Sequence, residues 1–166
     1  MASPVLPDPT ARVLSAEPFG EDSLLPGPAA LLERLADRLA DLSAPPATLA
    51  VIGLLRRDDG WPTAPETLSA VTSLLARGVR GDDWLTREGT AEFAVLIGGG
   101  PDAAEVAISR LVRVVTGVVT GVAACAGVAA LEPGLSAAEV RRRALLSLAA
   151  ARTQGGGQLV RYRGSR

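Results

Sequence analysis

The chain contains no lysine, no histidine and no asparagine, and it has a single cysteine. Without lysine there is no Walker phosphate loop, and without histidine there is neither a histidine general base nor a histidine metal ligand. All 17 basic residues are therefore arginine. Cys125 can make no internal disulfide, which fits a reducing, cytoplasmic setting. Within its apolar run it reads as a small hydrophobe rather than a redox centre. A net charge of -1 argues against nucleic acid as the main partner. The first residues lack a basic start and an apolar core, so no signal peptide is expected.

What is present describes one globular domain. Of 166 residues, 48% are apolar and 21% charged, enough to bury a real core. One stretch imitates a membrane span: Val114 to Leu131 is 18 residues without charge and holds a Gly117/Gly121 GxxxG pair. Its threonines, glycines and alanines make it weakly hydrophobic, and the arginines before it carry a helical period. It reads as a helix end followed by a buried strand, and no membrane partner is expected.

Residues 1–21 carry prolines at 4, 7, 9 and 18 with no sustained period and read as a flexible lead-in; residues 22–166 read as the domain. Pro28 suits the first turn of a helix, with Leu31, Leu32, Leu35, Leu39 and Leu42 on one face and Pro45-Pro46 as the stop. Thr48 to Leu55 has the length and content of a buried strand. Pro65 opens a second helix bearing Leu68, Val71 and Leu75, with Gly78 as its stop. Phe93 to Ile97 is another buried strand, and Gly98-Gly99-Gly100-Pro101 a turn. Asp102 is placed to cap a helix carrying Ala104, Ile108, Leu111 and Val115. A strand follows within Val118–Ala129. Ser136 and Glu139 form a capping box for a last helix with Val140, Ala144, Leu148 and Ala151 inward, Arg141 to Arg143 on a solvated face and Gly155 at its end. Gln158 to Tyr162 alternates like a closing strand. Helices and strands so interleaved predict an α+β sheet covered by helices.

The informative stretch runs from Arg80 to Ile97. Arg87-Glu88-Gly89-Thr90-Ala91-Glu92-Phe93 resembles the diguanylate cyclase signature Arg-x-Gly-Gly-Asp/Glu-Glu-Phe, with Thr90 for the second glycine and Ala91 for the first acid. Upstream, Arg80-Gly81-Asp82-Asp83 resembles the family's inhibitory Arg-x-x-Asp motif, and Trp84 to Glu88 supply the family's spacing to Gly89. Asp22, Leu24 and Pro28 match the family's opening segment, although Ala29 and Ala30 stand at its asparagine and arginine positions. Cys125 to Ala129 is similar to its Ser-x-Gly-Val-Ala strand. The chain thus resembles a degenerate GGDEF domain from Asp22 to Tyr162. That resemblance implies a palm-like mixed sheet of about five strands with helices on both faces.

It also implies a loss of chemistry. Joining two GTP molecules needs carboxylates that hold divalent metal. Here the first strand ends in Leu54-Leu55 and the elbow carries Ala91, while Arg152 replaces a family lysine and Thr90 crowds the phosphate approach. No catalytic residue, metal ligand or cofactor is assigned. Asp58 and Asp59 read as turn residues, with displaced ligands as the other reading. The inhibitory site survives: the resemblance makes Arg80, Asp83 and Arg110 candidates for binding cyclic di-GMP, two guanidinium groups and a carboxylate reading guanine edges. An ordinary surface turn is the competing reading of the same residues. Homodimers are expected, with apolar contact from the lead-in and from Ala123–Ala130, together with an unidentified protein partner. The alternatives are an interaction or dimerisation module without nucleotide, and GTP binding without turnover.

Overall fold

The computed structural model describes residues 25–56 and 63–164. The lead-in over residues 1–21, the opening Asp22 and Leu24, and the Asp58-Asp59 pair lie outside the described residues. In chain order the elements are α1 (Pro28–Ala40), β1 (Ala47–Arg56), α2 (Pro65–Gly78), β2 (Trp84–Gly89), β3 (Glu92–Gly98), α3 (Pro101–Val118), β4 (Val122–Ala130), α4 (Ala137–Gln154) and β5 (Leu159–Arg161). The five strands form one sheet in the order β2-β3-β1-β4-β5. Neighbours are antiparallel except for β5, which runs parallel to β4. This is the expected mixed α+β sheet.

Strand periodicity explains why both faces carry helices. In β1, Ala50, Ile52 and Leu54 point to one side, where Val71 and Leu75 of α2 and Ile108, Leu111 and Val115 of α3 cover them with Phe93 and Val95. Leu49 and Val51 point to the other side, beneath Leu31 and Leu35 of α1 and Val140, Ala144 and Leu148 of α4. Apolar on both faces, β1 reads in the sequence as an unbroken run rather than an alternation. At the β2 edge, the main-chain oxygen of Pro26 accepts from the Arg87 N–H at 2.8 Å and from Thr86 Oγ1 at 2.6 Å, so the lead into α1 covers that edge.

Several local expectations are corrected. Helix α1 stops at Ala40, well before Pro45, because the Asp41 carboxylate accepts from the Ser43 N–H and hydroxyl and turns the chain. Leu42, expected on the buried face, is consequently 87% exposed. Gly78 is the last residue of α2, not a left-handed cap beyond it, and a Cβ there would meet the Cδ2 tip of Leu111 in α3. Asp102 is no cap; Gly100 holds that position, Pro101 takes the first turn, and the Asp102 carboxylate accepts from Arg161 at 2.7 Å. The uncharged run divides as expected, α3 continuing to Val118 and β4 beginning at Val122 after Gly121 at φ 76°. Residues Val122 to Ala129 are buried inside the sheet, so the Ala123–Ala130 stretch cannot be the contact surface proposed for self-association. Among the described residues no helix is long and apolar enough to cross a membrane.

Helix α4 begins on the expected Ser136 cap, the Glu139 N–H donating to Ser136 Oγ at 3.1 Å, but the Glu139 carboxylate turns to Arg142 and Arg143 instead of closing the capping box; the helix ends at Gly155 with φ 101°. Between those ends it lies directly on β4 at Gly127. A Cβ on Gly127 would overlap the backbone of Leu148 and Ala144, and would reach Leu148 Cα at 2.8 Å. Rigid main chain cannot yield as a flexible side-chain tip can. Gly127→Ala should therefore cost about 2–4 kcal/mol in urea denaturation, at or beyond the usual range for overpacking. Gly117→Ala, in α3 with nothing within 4 Å of the new methyl, should instead gain up to about 1 kcal/mol. Equal effects at the two positions would contradict this account of the helix seat.

Candidate functional site

Arg80, Asp83 and Arg110, selected from the sequence, line one crevice although they come from two separate segments. Arg80 and Asp83 belong to the turn between α2 and β2. The Arg80 N–H donates to Asp83 Oδ2 at 2.9 Å, and the Asp83 N–H donates to the Arg80 carbonyl at 3.1 Å. This reciprocal pair fixes the turn, and the exposed Arg80 side chain makes no ion pair among the described residues. Arg110 reaches across from α3, its Nη2 donating to the Gly78 carbonyl at 3.0 Å. That carbonyl is one of the groups left unpaired at the end of α2, so Arg110 also ties the two helices. Val95, Ile97 and Gly98 of β3 floor the crevice. Its enclosed space is about 20 Å³, room for a single water, so a planar base would lie across the guanidinium groups rather than enter.

The signature elbow lies at the opposite end of β3. Thr90 and Ala91 make the turn, and the register shifts between Arg87 and Gly89, leaving Glu88 as the extra residue of a bulge. The Glu88 side chain is 1% exposed. Its Oε1 accepts from Arg141 Nε at 2.6 Å and also contacts Arg141 Nη2, while Oε2 has no partner among the described residues. Burial pushes the Glu88 carboxyl up from its ordinary range; Arg141 pulls it down and Glu92 pushes it up again. Glu92 is paired in turn, its Oε1 accepting from Arg152 Nη2 at 2.6 Å. Opposite Glu92 on β1 stands Gly53. A Cβ at Gly53 would lie 2.8 Å from Arg152 Nη2, so the guanidinium fills the space over this strand pair. On the other face Arg87 lies 5.1 Å from the centroid of the Phe93 ring, its Nε buried without a partner among the described residues. Beside these groups, the Cys125 thiol donates to the Gly53 carbonyl at 3.7 Å, and burial pushes its pKa up.

The elbow is thus a set of neutralised pairs rather than an open ligand set. Among the described residues no three His, Cys, Asp or Glu side chains gather to hold a metal. The roles of Arg141 and Glu88 escaped the sequence reading, which put Arg141 on a solvated face. Arg141 and Arg152 are 11 residues apart, about three helical turns, and so share one side of α4 with Leu148. That spacing was the available signal, hidden by the consecutive arginines Arg142 and Arg143. Arg142 does behave as a surface group, whereas Arg143 is half-buried and lies 4.9 Å from the Tyr162 ring centroid; both pair with Glu139, which Arg142 first and then Arg143 pull down to about 2.

No protein-family model matches the sequence, and no curated protein does. Solved structures do match. The coiled coil and GGDEF domain of DgcB from Caulobacter crescentus, in complex with c-di-GMP, aligns with TM-score 0.74 at 19% identity, over 82% of this chain and 81% of that one. The active GGEEF domain of a diguanylate cyclase from Vibrio cholerae gives 0.73 at 19% identity, over 85% and 99%. The diguanylate cyclase SiaD from Pseudomonas aeruginosa, in complex with its activator SiaC, gives 0.72 at 20% identity, over 82% of this chain and 58% of that one. The protein therefore has the GGDEF-like fold.

The buried pair has a measurable pH signature. With its folded pKa raised, Glu88 contributes stability that is present below its unfolded pKa and lost as pH rises through the folded value. Arg141 limits that loss. Arg141→Gln should cost about 2–4 kcal/mol near pH 7.5 and distinctly less near pH 4.5, read from urea midpoints. A cost independent of pH would contradict the assignment.

Proposed function

We propose that this chain is a catalytically inactive, degenerate GGDEF-like regulatory domain that binds cyclic di-GMP through Arg80, Asp83 and Arg110. The observation that carries the reading is their convergence on one crevice, two exposed guanidinium groups and a carboxylate within reach of a single planar ligand. A guanidinium forks onto the O6 and N7 acceptors of guanine, and a carboxylate accepts from N1 and N2. DgcB, of the same fold, is a complex with c-di-GMP. The elbow supports inactivity: the first strand ends in Leu54-Leu55, Ala91 brings no carboxylate and Glu92 is taken by Arg152. GTP binding without turnover would draw on Arg152 as a phosphate-pairing cation, but that guanidinium is already held by Glu92 at 2.6 Å.

A second reading, an interaction module without nucleotide, draws on the bonds that Asp83 and Arg110 make to the main chain. Both residues would then serve the fold alone. SiaD, which is bound by its activator, supplies an instance of a protein partner for this fold. A cytoplasmic location fits either reading.

Calorimetry on the intact chain separates them. Arg80→Ala, whose side chain makes no described hydrogen bond, should weaken cyclic di-GMP binding roughly ten- to a hundredfold, on the order of 1–3 kcal/mol. Asp83→Asn, which keeps an acceptor for the Arg80 N–H, should cost a similar amount, and Arg142→Ala on α4 little. No heat with the wild type would hand the case to the interaction module. The same preparation incubated with GTP and magnesium or manganese should yield no cyclic di-GMP above a protein-free control.

A further inference from the structure

Helix α2 carries a solvent face that its own fold leaves unused. Glu66, Ala70, Ser73 and Arg77 follow one another at intervals of three and four, and all four are exposed. Half-buried Leu74 stands beside them. Across an open cleft of about 440 Å³ lie Val118, 64% exposed, and Val119 from the end of α3. Neither Glu66 nor Arg77 has an ion-pair partner among the described residues. They are 11 residues apart, about 16 Å along the helix and on the same side of it. The stripe therefore ends in opposite charges, with small residues between.

We infer that this face docks on the same face of a second copy of the chain, the two α2 helices antiparallel about a two-fold axis near Val71 and Thr72. Such an arrangement sets Glu66 against the partner's Arg77, and by symmetry Arg77 against the partner's Glu66. Ala70 and Ser73 let the helix axes approach, and Leu74 and Val118 gain apolar cover on both sides. An isologous contact of this kind closes at two copies. The parallel alternative would oppose like charges at both ends, so the charges specify direction as well as attraction. Contact between two helices of 14 residues lies at the low, transient end of interface sizes, so a weak, concentration-dependent association is expected. The inference does not depend on cyclic di-GMP, and its test contains no nucleotide.

Sedimentation equilibrium of the intact chain, from about 10 to about 500 micromolar, reads the association directly. The wild type should show a concentration-dependent monomer–dimer equilibrium. Glu66→Arg and Arg77→Glu, each at an exposed position, should weaken it by at least about tenfold. The double variant Glu66→Arg/Arg77→Glu should regain the wild-type constant, because the swapped charges face each other again. A wild type monomeric throughout would overturn the inference. So would a dimer indifferent to either single reversal, or a double variant no better than the singles.

Discussion

The close seat of α4 on β4 at Gly127 is the constraint on which the rest of the structure depends. Only a residue without a side chain lets the main chain of Ala144 and Leu148 come down onto the sheet. With the helix at that height, Leu148 and Ala144 complete the apolar layer shared with α1. The same height brings Arg141 and Arg152 within reach of the β2–β3 hairpin.

Those two pairs give the elbow its character. Glu88 is nearly inaccessible and half satisfied, so its charge is tolerable only with Arg141 against it. Glu92 faces Gly53 across the strand pair, and Arg152 fills the room that the glycine leaves. Both carboxylates of the elbow are thus held in ion pairs. The Arg80–Asp83 turn is built differently, on the α2 and α3 side of the sheet and at the other end of β3. Because α4 does not contribute to it, changes that fill the elbow leave the crevice intact. The elbow and the crevice are thus built by different elements, at opposite ends of β3.

Much of this was legible in the sequence. The apolar runs of β1 and β3, the proline at the start of α1 and α2, and the capping serine of α4 each act through neighbours a few residues away. The convergence of Arg80, Asp83 and Arg110 was reachable only through the resemblance, since two segments from different parts of the fold must meet. Arg141 was misplaced because its partner lies 53 residues away, on a bulge that no local pattern announces. Leu42 was misplaced because Asp41 and Ser43 turn the chain before the prolines do. Gly78 and Gly127 look like ordinary helix-stop and strand residues until the helices packed against them are known.

Amide chemical shifts of the intact, ¹⁵N-labelled chain test the central claim most directly, with cyclic di-GMP and GTP–magnesium added in separate titrations. The account expects cyclic di-GMP to move the amides of Gly78 to Asp83 and of Ala103 to Leu111, and GTP–magnesium to leave Gly89 to Phe93 unmoved. Saturable shifts at Gly89 to Phe93 with GTP, and none around Arg80 with cyclic di-GMP, would contradict it.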